Sequence, residues 1–144
     1  MKVASILKVK GSTVATTPPR TSIVTVARLL RDQHIGALVV SEDGATVIGI
    51  ITERDIVHGL ASRGAALLEM PVSLLMTREP ITCTPDDDVT TVMARMTRFR
   101  VRHLPVVVDG RLAGIVSIGD VVKSRLDELQ TEANVLREAF LARH

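Results

Sequence analysis

The feature that most constrains this chain is an internal repeat. A displacement of 66 residues aligns Pro19 with Pro85, Val26 with Val92, Ile35 with Val101, Leu38 with Leu104 and Val40 with Val106. The following loop is one residue longer in the first copy, so the displacement falls to 65, and Gly49, Thr52 and Asp55 meet Gly114, Ser117 and Asp120. One supersecondary unit has been used twice. A lone unit of about 60 residues is marginally stable, whereas a body of this length buries roughly 70% of its unfolded surface. The two copies are therefore expected to share a core and to be related by approximate two-fold symmetry. The expected organisation is 1–66 for the first repeat, 67–129 for the second and 130–144 for a C-terminal helical extension.

The repeat unit reads as mixed α and β structure. In the first copy, residues 16–20 (Thr-Thr-Pro-Pro-Arg) read as a loop, and Ser22 is the expected cap of a helix whose apolar stripe is Ile23, Val26, Ala27 and Leu30, with Gly36 as its end. Residues 37–40 and 47–51 are apolar, β-branched and separated by Ser41-Glu42-Asp43-Gly44, the signature of a buried hairpin. Thr52 then opens a helix that stops near Gly64. The second copy repeats this order, with Asp87 or Asp88 as helix cap, Val89, Val92, Met93 and Met96 facing inward, and Asp109-Gly110 as a hairpin turn.

The last helix departs from the repeat. From Asp120 to about Arg143 there is no Gly or Pro, and Val122, Leu126, Leu129, Ala133, Leu136 and Phe140 are spaced 4, 3, 4, 3, 4. This heptad-like seam is expected to pack on its own module up to Leu129 and to meet another subunit beyond it.

Composition narrows the function. The chain is 46% hydrophobic and 24% charged, with 18 basic against 16 acidic residues and a net charge of +2, too balanced for a dedicated nucleic-acid binder. Phe99 and Phe140 are the only aromatic residues of the Phe, Tyr and Trp class, which argues against single-strand binding by stacking. There is no membrane-spanning run or secretory leader, so a cytoplasmic protein is expected. Cys83 reads as a small core filler. His34, His58 and His144 have no Cys or carboxylate partner at ligand spacing, so no metal site is expected, and neither a Gly-x-Gly-x-x-Gly nor a Gly-Lys-Ser/Thr phosphate loop is present.

Each copy ends its hairpin in an apolar strand that runs through a hydroxyl residue into a helix: Gly49-Ile50-Ile51-Thr52-Glu53-Arg54-Asp55 and Gly114-Ile115-Val116-Ser117-Ile118-Gly119-Asp120. Such a corner offers free backbone N–H groups, a hydroxyl and a carboxylate. The spacing by itself fits a helix cap, in which the hydroxyl accepts from the third helical N–H and the carboxylate complements the positive helix end.

At these residues, and most specifically over Val101-Arg102-His103-Leu104-Pro105-Val106 through Ser117-Ile118-Gly119-Asp120, the chain resembles a tandem pair of cystathionine-β-synthase-type (CBS) domains, a Bateman module of the short stand-alone bacterial kind. The resemblance covers Lys8 to about Leu129. It implies two β-α-β-β-α repeats, two clefts between them, and adenosine-containing ligands such as AMP, ADP, ATP, NAD or S-adenosylmethionine.

On that resemblance, Asp120 and Asp55 accept the ribose hydroxyls, with Ser117 and Thr52 beside them, and Arg102 and His103 reach phosphate. The cleft of Asp120 takes its base between Ile35 and Lys10-Gly11-Ser12-Thr13, with backbone bonds from Gly36 and Ala37. The cleft of Asp55 uses Thr77, Arg78, Val101 and Leu104 for the base and Arg54 for charge. Gly119 withholds a hydroxyl that other members often carry. The function implied is a regulatory sensor that changes inter-repeat or dimer geometry on binding AMP, ATP or NAD. A homodimer with no catalytic role is expected, with room for an unidentified protein partner that reads its state. The competing reading is a structural dimerisation protein with vestigial clefts.

Overall fold

The computed structural model describes residues 1–143; His144 lies outside the described residues. Its elements run α1 (Val3–Lys10), β1 (Thr16–Thr17), α2 (Ile23–Gln33), β2 (Ala37–Val40), β3 (Gly49–Thr52), α3 (Glu53–Arg63), two short 3-10 turns (Gly64–Glu69 and Val72–Leu74), β4 (Thr77–Arg78), α4 (Val89–Phe99), β5 (His103–Val108), β6 (Arg111–Ser117) and α5 (Ile118–Ala142). One sheet has the order β1-β2-β3-β4 and the other is the β5-β6 hairpin. This is the mixed α and β architecture expected from two β-α-β-β-α units.

The two-fold relation is visible bond by bond. Thr17 pairs with Val40 in parallel, and their counterparts Cys83 and Val106 form a parallel bridge. Glu53 N–H donates to the Gly36 carbonyl at 3.0 Å, as Ile118 N–H does to the Arg102 carbonyl at 2.8 Å. Both first helices end on a left-handed residue, His34 at φ 53° and Arg100 at φ 55°. The end of α2 is therefore His34, two residues before the expected Gly36, even though a side chain in that conformation is less favourable than glycine.

Other local expectations shift for identifiable reasons. Thr16–Thr17 is a strand rather than a loop, because it pairs with Val39–Val40. Ser22 does cap α2, its hydroxyl accepting from Thr25 N–H at 3.4 Å. Asp88 occupies the N-cap of α4 without a side-chain cap bond. The neighbouring Asp87 carboxylate instead accepts from Thr84 N–H at 2.9 Å and pairs with Arg95 at 3.2 Å. Asp109 and Gly110, both at positive φ, make the expected tight turn.

The apolar interior forms two clusters rather than one shared core, and the lead-in segments are exchanged between them. Val3 and Ile6 of α1 pack with Cys83, Val89, Val92, Met96, Leu104, Val106, Val116 and Val121 of the second repeat. Leu67, Val72 and Met76, past the expected boundary at residue 66, pack with Ile23, Leu30, Leu38 and Ile51 of the first. Backbone bonds fix the exchange: Val3 and Ala4 N–H donate to the carbonyls of Asp87 and Pro85, both at 3.0 Å. Cys83 is 2% exposed, and burial pushes its thiol up to about 12, so it is the inert filler expected.

The two repeat glycines sit where these segments cross the strands. A Cβ on Gly49 would lie 2.6 Å from Met76 Sδ and 2.9 Å from the Thr77 carbonyl; one on Gly114 would lie 2.6 Å from Leu7 Cδ2. Gly49 is closed to a side chain by a backbone atom, whereas Gly114 is crowded by the flexible end of Leu7.

The C-terminal helix corrects another expectation. Its buried residues are Val121 and Ser124, and Glu128 pairs with the N-terminal ammonium at 2.8 Å. The face packed on the module is thus offset from the heptad stripe, and Val122, Leu126 and Leu129 are exposed instead of packed on their own module.

Candidate functional site

Both strand-to-helix corners close as reciprocal capping boxes. Ser117 Oγ accepts from Asp120 N–H at 3.2 Å, and Asp120 Oδ2 accepts from Ser117 N–H at 2.9 Å. Thr52 and Asp55 repeat this at 3.2 and 3.0 Å. Capping uses one carboxylate oxygen, so among the described residues Oδ1 of each aspartate carries no hydrogen bond. Cap and ligand grip are therefore compatible functions of the same side chain.

The corners differ in what reaches them. Lys10, the last residue of α1, donates from Nζ to Asp120 Oδ2 at 2.7 Å and to the Ile115 carbonyl at 3.0 Å. Burial pushes the Asp120 carboxyl up, but the hydrogen bonds from Lys10 and Ser117 outweigh it and leave the group below the usual carboxylate range. Among the described residues Asp55 has its capping bonds alone.

Beside Lys10 and Ser117 lies a cavity of about 500 Å³ between the repeats, within the range of small-molecule sites. The sequence expectation and this cavity share Lys10, Thr13, Ile35, Gly36, Ala37, His103 and Ser117. Val14, Leu29, Gln33, His34, Leu38 and Ile115 also line it and were not anticipated. Ile115 could have been found as the residue two before Ser117 on the same strand; His34 was hidden by its place at a helix end expected two residues later. Gly11 and Ser12 are exposed and outside the lining, and Asp120 is one hydrogen bond behind it through Lys10.

His103 spans the repeat interface. A Cβ on Gly36 would lie 3.1 Å from its Cε1 and 3.2 Å from its Nε2, with Glu53 Oε1 at 3.6 Å. The imidazole of the second repeat thus rests on the bare backbone of the first. Burial holds its pKa down, reinforced by Lys10 and opposed by Glu53 and Asp120, with Arg102 lowering it further. That shift favours the neutral ring, and Lys10 brings a positive charge to the lining. Arg102 is exposed outside the cavity.

The residues expected around Asp55 are more scattered. Thr77 and Arg78 are exposed on the edge strand beside Ile50 and Gly49, Arg54 is exposed, Val101 is half-buried, and Leu104 is 0% exposed within the second core. Leu104 is closed to a ligand in this arrangement. A second, more open hollow of about 450 Å³ lies between α2 and α3, lined by Ala27, Leu30, Ile35, Ile56 and Val57 with Arg31, His34 and Glu53 at its rim; it contains none of the Asp55 set. Gly119 is exposed, and a Cβ there would make only an ordinary contact with Ser117 Oγ at 3.6 Å.

Comparison with known proteins places this geometry. The CBS domain family model matches residues 9–62 and 72–127, and the chain belongs to that family. It is similar to the CBS-domain containing protein ATU1752 of Agrobacterium tumefaciens, at 46% identity over 87% of this chain and 99% of that one, with a TM-score of 0.84. It is also similar to PAE2072 of Pyrobaculum aerophilum, solved with AMP, at 28% identity over 91% and 99% with a TM-score of 0.78. The CBS domain pair of MJ0100, solved with 5-methylthioadenosine and S-adenosyl-L-methionine, matches at 31% identity over 90% and 98% with a TM-score of 0.76. Some relatives are longer: the chain spans 56% of the mitochondrial CBS domain-containing protein CBSX3 of Arabidopsis thaliana, at 36% identity. No helix among the described residues is long and apolar enough to cross a membrane.

Proposed function

We propose that this chain is a regulatory, non-catalytic module that binds an adenosine-containing nucleotide of the AMP, ATP or NAD type between its repeats, and that it works as a homodimer whose geometry a protein partner reads. The observation that carries the reading is the Asp120 corner: a carboxylate with one oxygen held by the cap and Lys10 and the other without a hydrogen bond among the described residues, one hydrogen bond behind the lining of a cavity between the repeats. A ribose diol supplies two O–H donors to such an oxygen, and each charge-assisted bond is worth about 1.5–3 kcal/mol. Ile35 and Leu38 offer an apolar wall for a base, and Lys10 offers charge to a phosphate. Binding shifts the angle between repeats only to the extent that one arrangement holds the ligand better.

One observation favours the alternative of a dimerisation scaffold with vestigial clefts: Lys10 already neutralises Asp120 at 2.7 Å. Thermal unfolding in the presence of AMP, ATP, NAD and a guanosine nucleotide separates the two. The sensor reading predicts stabilisation by an adenosine compound, about 2.7 kcal/mol at a hundredfold excess over Kd, and none from guanosine. No shift with any of them supports the scaffold.

A further inference from the structure

The stripe on α5 is fully formed and, among the described residues, largely exposed. Leu126 is 61% and Leu136 71% exposed, with Val122, Leu129 and Phe140 also open to solvent. With Ala133 they fall within about 80° of the helix circumference at 3.6 residues per turn. The family model ends at residue 127, so the second half of this stripe lies outside the matched region. We infer that α5 pairs with α5 of a second copy as a parallel two-stranded coiled coil, which deepens the homodimer reading above and rests on it.

Polarity follows from the charges flanking the seam. With Val122, Leu129 and Leu136 at the d positions and Leu126, Ala133 and Phe140 at a, Glu132 falls at g and Arg137 at the following e. In a parallel pair Glu132 of one helix faces Arg137 of the other, twice by symmetry. In an antiparallel pair centred near residue 131, Glu132 meets its own copy and Lys123 meets Arg137. Among the described residues neither Glu132 nor Arg137 has an ion-pair partner in its own chain. Arg125, the preceding g residue, is neutralised by Glu128 at 2.7 Å. The seam is short, but its first half is already held helical by the buried Val121 and Ser124 and the Met1–Glu128 ion pair, so association does not have to nucleate the helix.

The test uses the full chain. Sedimentation equilibrium of the parent is expected to give a dimer, and Leu136→Glu to raise its dissociation constant at least a hundredfold while leaving AMP affinity unchanged. Leu136→Cys is expected to form a disulfide-linked dimer on mild oxidation, because a parallel pair sets residue 136 opposite its copy. An antiparallel pair puts the two residues about 15 Å apart along the axis, beyond disulfide reach. Val135→Cys, pointing away from the seam, is expected to stay unlinked, and buried Cys83 is silent. Glu132→Arg should weaken the dimer severalfold and Glu132→Arg with Arg137→Glu restore it. A parent dimer that Leu136→Glu leaves intact, or that Leu136→Cys fails to link, overturns the coiled coil alone; a monomeric parent overturns the homodimer with it. Neither result touches nucleotide binding, which AMP calorimetry on the same samples reads separately.

Discussion

The two strand-to-helix corners are near copies in backbone and unlike in setting. Thr52–Asp55 and Ser117–Asp120 close the same reciprocal cap with hydrogen bonds equal to within 0.1 Å. What separates them is the segment that arrives from the other repeat: α1 delivers Lys10 to Asp120 beside a cavity, whereas β4 lays Thr77 and Arg78 along the sheet edge next to Gly49. Duplication preserved the corner, and the lead-ins made the two halves unequal.

The largest effect expected from probing that difference lies at the crossing points. Gly49→Ala drives a Cβ against the Thr77 carbonyl, a backbone atom that cannot swing aside, and is expected to destabilise the chain by roughly 2–3 kcal/mol in urea unfolding. Gly114→Ala meets the flexible end of Leu7 instead and should cost about 1 kcal/mol. Equal losses would mean the two lead-ins are equally rigid.

A smaller effect tests the electrostatics of the cavity side. Because the pKa of His103 is lower in the folded chain than in the unfolded one, the folded state is the poorer proton binder. Stability is expected to fall as pH drops below the ordinary imidazole value of about 6.5, and His103→Asn to flatten that part of a pH series of urea melts. An unchanged slope would show that the ring is not held neutral against Gly36. Asp120 acts lower on the scale: its pKa is depressed, so its contribution is present above about pH 4 and is lost as pH falls through the folded value. Lys10→Met should raise the Asp120 pKa and reduce stability at pH 7 by less than about 1 kcal/mol, since both partners are part-exposed.

How much of this was legible in the sequence depended on whether the information was local. The repeat, the two hairpins, the Asp109-Gly110 turn and the Ser/Thr-x-x-Asp spacing are local, and the fold carries them as read. The exchange of α1 and residues 67–78 between the cores is not: Leu7 against Gly114 is a contact across the whole chain, and no periodicity announces it. The same limit governs Leu104, whose apolar character fits a ligand wall and a core equally well until burial decides. In α5 the heptad spacing was visible, but which stripe faced the module depended on where Met1 and α4 lie. Residue by residue, the expected lining was partly matched on the Asp120 side, because Lys10, Ile35 and Ser117 flank recognisable element ends. His34 escaped notice because a left-handed helix end was assigned to glycine.

The central claim is that the Asp120 corner, and not helix capping alone, is what the second repeat contributes to ligand. Calorimetric titration of AMP into the parent, Asp120→Ala and Asp55→Ala chains tests it directly, because both variants lose the same cap, worth about 1 kcal/mol. The account predicts that Asp120→Ala weakens AMP at least tenfold, a loss of about 1.4 kcal/mol or more, and weakens it more than Asp55→Ala does. Unchanged AMP affinity in Asp120→Ala would contradict it.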